Sequence, residues 1–257
     1  MTAPAALAPA PPARTAPAPA PAPARVTATA TAAGPGALRL FSAEQVDAGA
    51  ARAHPEAAEV LHWARRFLTT AHPDLGRSGP VCPYTQPSLR RGLFHLAVTD
   101  AATGTVPGTG TGPGAGLPAL VGELRAHYDR LLAGLTEEGD RELLTVLLVL
   151  PRLDRTDSTV LDDLQRSAKD EFVEQGLMIG QFHPVCEEPG LWNGAFRPLR
   201  APVPLLAVRK LLVFDLPFLL GDPVHLAHYL ARFAPQVPAR IRDQLVTGLT
   251  ARSPVTV

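Results

Sequence analysis

Between Leu117 and Phe182, segments whose apolar residues recur at helical spacing alternate with short, continuous apolar runs. Apolar residues at helical spacing predict one helix from Leu117 to about Gly134, and a second helix that is capped by Asp157 and stops at Gly176. Short apolar runs bounded by turn residues predict strands. These runs are Leu93–Val98, Leu143–Leu150 and Leu177–Phe182.

Helical periods also flank this region. The first spans about Ser42 to Ala71 and ends before Pro73, while the C-terminal portion is predicted to be mostly helical, with Leu205–Phe214 and Pro223–Phe233 as its main segments. Strands that alternate with helices in this order predict an α+β fold. We expect a small sheet with helices packed on one face, in a split βαβ arrangement.

Composition separates a tail and a loop from the rest of the chain. Residues 1–38 consist almost wholly of Ala, Pro, Thr and Gly, so they cannot bury enough apolar surface to offset the entropy lost on ordering. A disordered tail is therefore predicted, followed by a single domain over residues 39–257. Residues 99–116, again rich in Thr, Gly, Ala and Pro, are predicted to form a flexible loop within that domain.

Charge and hydropathy limit the partners of the protein. The net charge is zero, with 24 basic and 24 acidic residues, so the overall field favours neither nucleic acid nor an anionic membrane surface. The tail lacks the apolar block of a secretory signal, and no apolar run is long and uncharged enough to span a bilayer. These features predict a cytoplasmic protein. In that reducing compartment we expect its two cysteines, Cys82 and Cys186, to remain free thiols.

Two segments are candidate sites for chemistry. The sequence contains no glycine-rich nucleotide loop, Walker lysine or His-Glu-x-x-His zinc motif. Cys82 lies just before a predicted strand, while His183 and Cys186 directly follow a buried one, where ligands commonly bind. A cysteine thiolate or a histidine imidazole can bind haem iron, and His183 with Cys186 can contribute to a metal site. The alternative is structural, with thiols buried as small hydrophobic groups and a histidine that fixes its loop.

A polar, irregular segment follows these residues. Its acidic pair, Glu187 and Glu188, could hold a guanidinium or an ammonium group, and Arg197 or Arg200 could clamp a carboxylate. The alternative is a solvent-exposed loop whose charges pair with one another.

Several motifs in the same order carry a family resemblance. They are GPVCPY (79–84), EFVEQGLMIGQFHP (171–184), CEEPGL (186–191), FRPLR (196–200), PVPLLAVR (202–209) and DLPFL (215–219). Together they resemble an actinobacterial domain family largely without assigned function, over roughly His54 to Pro235. Within that family the chain is similar to haem-dependent proteins that hydroxylate the guanidino nitrogen of L-arginine during D-cycloserine biosynthesis. The resemblance implies heme b, dioxygen and an external electron donor.

The resemblance does not identify the iron ligand, so residue type and position decide between two candidates. His183 is preferred because it directly follows a buried strand, which holds its backbone rigidly, and because a neutral ligand needs no buried negative charge. Cys82 is the rival, since a thiolate favours cleavage of the oxygen–oxygen bond. By residue type, the acidic pair is assigned to the guanidinium of L-arginine, and Arg197 or Arg200 to its carboxylate.

Two other functions remain open at this point. One is a zinc-dependent or thiol-dependent hydrolase that uses Cys82, His183 and Cys186 together. The other is a non-catalytic carrier of haem or of a metabolite.

Overall fold

Five strands form one open mixed sheet in the computed structural model, which describes residues 38–99, 116–237, 239 and 242–243. The strands are β1 (Leu38–Ser42), β2 (Phe94–Thr99), β3 (Thr145–Val149), β4 (Leu177–Phe182) and β5 (Leu205–Lys210). Their order across the sheet is β1-β2-β3-β5-β4. β2 and β3 run parallel, and the other three pairings are antiparallel.

Helices precede and separate these strands, and the two together confirm the α+β fold. They are α1 (Ala43–Asp47), α2 (Pro55–Trp63), α3 (Thr85–Arg90), α4 (Leu117–Ala133), α5 (Glu138–Leu143), α6 (Thr159–Glu174) and α7 (Pro223–Phe233). A π-helix, Ala64–Leu68, continues α2, and 3-10 helices span Pro73–Leu75, Val213–Phe218 and Ala234–Gln236. In the part of the chain that the structure describes, no helix is long and apolar enough to cross a membrane.

The two long helices α4 and α6 cover one face of the sheet, as the sequence predicts. Their apolar stripes share the largest core cluster with inward side chains of β3, β4 and β5. Residues of this cluster include Leu124, Tyr128, Leu161, Phe172, Val146, Leu148, Ile179 and Val208. Burying so many apolar groups between two layers is the main source of stability for a fold of this kind.

Helices also cover part of the opposite face, which we call the π-helix face. There α1, α2 and the π-helix form a second core cluster with the strands, in which Val60 and Leu68 join Phe94 and Leu147. This second layer differs from the predicted one-sided arrangement. Every residue of β2 is buried, so both of its faces need cover.

Strand β5 lies where a helical segment was predicted, within Leu205–Phe214, and that prediction is wrong. A short apolar run does not distinguish a strand from a buried helix by its period alone. Ala207 pairs with Leu147 of β3 on one side and with Gly180 of β4 on the other, so β5 joins the two halves of the sheet. By contrast, the predicted helix Pro223–Phe233 is present with both of its bounds.

The N-terminal region differs in two respects from its prediction. The single helix expected over about Ser42 to Ala71 is divided, because Gly49 takes a left-handed φ of 78° after α1 and Pro55 opens α2. In addition, Leu38, the last residue of the predicted tail, is buried as the first residue of β1. The rest of the predicted tail and most of the predicted loop, residues 1–37 and 100–115, lie outside the described residues.

His95 of β2 should make the stability of the fold depend on pH. It is 1% exposed, its Nδ1 has no hydrogen-bond partner among the described residues, and burial lowers its pKa to about 4. The unfolded chain takes up this proton near pH 6.5, so the stabilisation present above that pH is lost as the pH falls towards 4. We expect this one residue to lower the free energy of unfolding by about 3 kcal/mol as the pH falls from 6.5 to 4.

Urea unfolding at several pH values tests this expectation. The free energy of unfolding of His95→Leu should fall less steeply with acid than that of the wild type. His62→Leu, on the exposed side of α2, should retain the wild-type slope. Equal slopes for the wild type and His95→Leu would contradict the prediction.

Candidate functional site

The π-helix face is only half-buried where β4 and β5 lie. Alternate residues of the two strands point to this face, and they form what we call the strip: Met178, Gly180, Phe182, Ala207 and Arg209. Gly180 and Ala207 are direct cross-strand partners at its centre. A Cβ atom added at Gly180 would meet only the Phe182 ring, at 3.8 Å. The strip is therefore a largely apolar floor with room above Gly180.

Cys82 lies beside this floor in a fixed backbone position. Its N–H donates to the carbonyl of Leu68 at 2.8 Å, and the N–H of Val81 donates to the carbonyl of Thr70 at 2.9 Å. These two bonds hold the Cys82 segment against the end of the π-helix. The side chain is half-buried and packs against the second core cluster, so the thiol is both positioned and accessible.

Arg209 provides positive charge at the same end of the strip. Its guanidinium lies 5.6 Å from the ring centroid of Tyr84 and within electrostatic range of Cys82. Burial opposes the charge of Arg209, but the carboxylate of Asp215 outweighs burial and raises the pKa of the guanidinium. Arg209 thus stays charged and places a fixed positive charge near Cys82.

Asp215 fixes the orientation of that guanidinium. Its two carboxylate oxygens accept from Arg209 at 2.7 and 2.5 Å, and one of them also accepts from the N–H of Leu212 at 2.8 Å. The Asp215 side chain is only 4% exposed. The pair is a bidentate ion pair of the kind that limits both the position and the rotation of the arginine.

The last residue of α2 and the π-helix that continues it supply aromatic walls. Trp63 and Phe67 stack with centroids 6.0 Å apart, and Trp63 meets Phe182 of the strip edge to face at 5.8 Å. A π-helix shifts the side chains that follow it relative to a regular α-helix, and such insertions are frequent at functional sites. Phe67 also faces the neighbouring cleft and so connects the cleft to the strip.

That cleft has a volume of about 540 Å³ and is built from two segments that are distant in sequence. The His72 and Phe196 rings are in contact, with centroids 4.6 Å apart and planes tilted by 33°, and the side-chain amide of Asn193 donates to the carbonyl of Asp74 at 2.8 Å. The lining includes Phe67, His72, Asp74, Phe196, Arg197 and Arg200. Aromatic rings and both signs of charge therefore meet in one concave site, which suits a small polar ligand.

Three of the four predicted substrate-binding residues come together at this cleft. The carboxylate of Glu187 accepts from Nε of Arg197 at 3.0 Å and forms a second ion pair with Arg200. Hydrogen bonds from these two arginines lower the pKa of Glu187. Glu188 is exposed and is not part of this ion pair. The charges of the loop thus pair with one another, which was the alternative interpretation of this segment.

His183 occupies a different environment from Cys82. It is 2% exposed, its Nε2 lies 3.1 Å from a carboxylate oxygen of Asp162 on α6, and its Nδ1 is buried without a hydrogen-bond partner among the described residues. Since α6 packs on the face opposite the π-helix, His183 and Cys82 lie on opposite faces of the sheet. Neither ring nitrogen of His183 is open to a ligand.

Cys186 belongs with His183 and not with Cys82. Its N–H donates to the carbonyl of His183 at 3.2 Å, and burial raises the pKa of its thiol. The three residues of the hydrolase hypothesis are therefore not assembled into one site. Asp170, Asp222 and His225 are the one group of three potential metal ligands among the described residues, and sequence analysis did not select it.

Several residues of the strip and the cleft were missed by sequence analysis. They are Trp63, Phe67, His72, Asp74, Tyr84, Arg209 and Asp215. Tyr84, Arg209 and Asp215 lie within the motifs of the family resemblance, and this was the available signal. His72 and Asp74 lie in a turn that carried no pattern beyond Pro and Gly.

Comparison with known proteins gives one result that covers most of the chain. A family model described as "Domain of unknown function (DUF6875)" matches residues 57–244, which include Cys82, the strip and the cleft. No curated protein and no solved structure matches the chain. The match extends over more than half of the sequence, and the chain therefore belongs to the DUF6875 family.

Proposed function

We propose that the protein binds heme b over the strip through the thiolate of Cys82 and hydroxylates the guanidino nitrogen of L-arginine. The observation that carries the proposal is the position of Cys82. Its half-buried thiol lies beside an apolar floor, at the centre of which Gly180 and Ala207 have only small side chains. A flat macrocycle needs such a floor, and an iron ligand needs such a rigid neighbour. The motifs of the family resemblance support the choice of haem.

The surroundings of the two candidate ligands favour Cys82 over His183. His183 was the ligand predicted from the sequence, because a neutral imidazole needs no compensating charge, but its Nε2 is engaged by Asp162 and its Nδ1 is buried. Arg209, held by Asp215, places a positive charge within electrostatic range of Cys82, whereas His183 faces the carboxylate of Asp162. The electronic properties of the ligand favour Cys82 as well, because a thiolate bound to the iron promotes the oxygen–oxygen cleavage that an oxygenase requires.

The chain itself would bind and orient the substrate. Bound haem would supply activation of dioxygen, with electrons from an external donor. Arg197 and Arg200 would receive the carboxylate of L-arginine, and Asp74 its ammonium group. Phe67 lines the cleft and stacks on Trp63 beside the strip, so an extended substrate would pass its ring to reach the haem. Glu187 is engaged by the two arginines, and Glu188 lies within electrostatic range of Lys169 on α6, so we assign neither member of the acidic pair to the guanidinium.

An absorption spectrum of protein expressed with a haem precursor tests the proposal. We expect a Soret band in the wild type and its near-complete loss in Gly180→Leu, because the new side chain would occupy the space above the floor. Gly122→Leu is the matched control, since an added Cβ there meets nothing within 4 Å. Turnover of L-arginine would separate an enzyme from a carrier.

Two outcomes would contradict the proposal. Zinc in the purified protein without visible absorption would favour a hydrolase. A Soret band of wild-type intensity in a folded Gly180→Leu protein would place the haem elsewhere.

A further inference from the structure

Glu187 holds the two cleft arginines as a ligand carboxylate would. One of its oxygens accepts from Nε of Arg197 at 3.0 Å, and the other pairs with Nη2 of Arg200. Each oxygen thus has its own arginine. This is the arrangement in which two guanidinium groups recognise any free carboxylate.

Both arginines are held in place by bonds that do not involve Glu187. Nη1 of Arg197 donates to the carbonyl of Gly194 at 2.5 Å, and Nε of Arg200 donates to the carbonyl of Cys186 at 3.1 Å. These backbone contacts orient the two side chains towards one point. The anion subsite is therefore expected to persist when Glu187 leaves it.

Glu187 is the easily displaced member of the group. Its side chain is 69% exposed, compared with 26% for Arg197. Ion pairs that are open to solvent contribute little to stability, so exchange of this carboxylate for another carries a small penalty. A free ligand whose carboxylate replaced that of Glu187 would also contact the other residues that line the cleft, and these additional contacts would favour its binding.

The remaining lining defines the class of that ligand. Asp74 adds a carboxylate to the cleft, and the tilted rings of His72 and Phe196 add an aromatic wall. A small zwitterion satisfies both charges, with its carboxylate at the arginines and its cationic group at Asp74. An isolated anion or an isolated amine satisfies only one.

We infer that Glu187 is an internal, displaceable occupant of a carboxylate subsite formed by Arg197 and Arg200, and that a free amino acid binds the cleft by taking its place. The inference rests on the proposed function only for the identity of the amino acid. Glu187 then restrains ligand binding, which is the opposite of the role in guanidinium binding that its residue type predicts.

The test compares Glu187→Gln with Glu188→Gln in the full-length protein. Calorimetric titration with L-arginine should give a dissociation constant about two- to fivefold lower in Glu187→Gln, because the competing carboxylate is gone. Glu188→Gln, which forms no ion pair with these arginines, should bind like the wild type. Arg197→Gln should lose most of the binding, and agmatine, which lacks the carboxylate, should bind to none of the variants.

Each result decides the inference. Equal or weaker amino-acid binding by Glu187→Gln, or equal binding of agmatine and L-arginine, would overturn it. If L-arginine does not bind, thermal shifts of Glu187→Gln with the other standard amino acids decide the matter, and the absence of stabilisation by any of them also overturns it. Binding of a different amino acid would refute the arginine substrate while leaving the inference intact, and no haem signal enters this assay.

Discussion

Replacing Cys82 by Ala is expected to abolish thiolate-bound haem, while replacing His183 by Gln leaves it in place. Cys82 is the accessible thiol beside the strip, whereas both ring nitrogens of His183 are engaged or buried. The measurement is the absorption spectrum of the reduced protein with carbon monoxide, which distinguishes thiolate from imidazole ligation. We expect a thiolate-type Soret band in the wild type and in His183→Gln, and its loss in Cys82→Ala.

The choice of variant keeps this experiment interpretable. Gln at position 183 can still donate to Asp162, so the buried contact with α6 is retained. Circular dichroism should show all three proteins folded. An imidazole-type band that disappears only in His183→Gln would reverse the assignment in favour of the ligand that sequence analysis preferred.

Replacing Arg209 by Met is expected to lower the free energy of unfolding by about 3–5 kcal/mol, since it leaves the carboxylate of Asp215 buried without its partner. The Met side chain conserves much of the volume, so the loss reports charge more than packing. Urea unfolding measures the change. The double variant Arg209→Met with Asp215→Leu should recover much of the stability, because no uncompensated charge remains.

An exposed ion pair gives the matched control. Arg166 pairs with Asp163 on the surface of α6, and both side chains are largely exposed. Arg166→Met should change the free energy of unfolding by less than about 1 kcal/mol. If Arg209→Met changed the free energy of unfolding as little as this control, the Arg209–Asp215 pair would not behave as a buried ion pair.

The elements with a strong, isolated pattern were predictable, and those that depend on sheet order were not. β4 and α7 match their predicted bounds, because turn signals or a capping residue delimit both. β5 was missed because its short apolar run fits two structures equally well, and only its position between β3 and β4 makes it a strand.

The same distinction applies to the candidate site. Cys82, Arg197 and Arg200 have conspicuous chemistry, so they could be selected from the sequence. Arg209 looked like an ordinary charge that interrupts an apolar segment, and its relation to Cys82 exists only through the sheet. The opposite placement of His183 likewise depends on which face of β4 meets α6.

The insertion of β5 between β3 and β4 sets the order in which the protein can be completed during synthesis. When β4 leaves the ribosome, the neighbour it will hydrogen-bond to has not yet been made, because β4 pairs with β5 and not with β3. Residues 183–204 must emerge first, and the closure of this long connection carries an entropic cost. Arg209 arrives with β5 and Asp215 just after it, so we expect the strip to form only as the nascent domain docks its final strand.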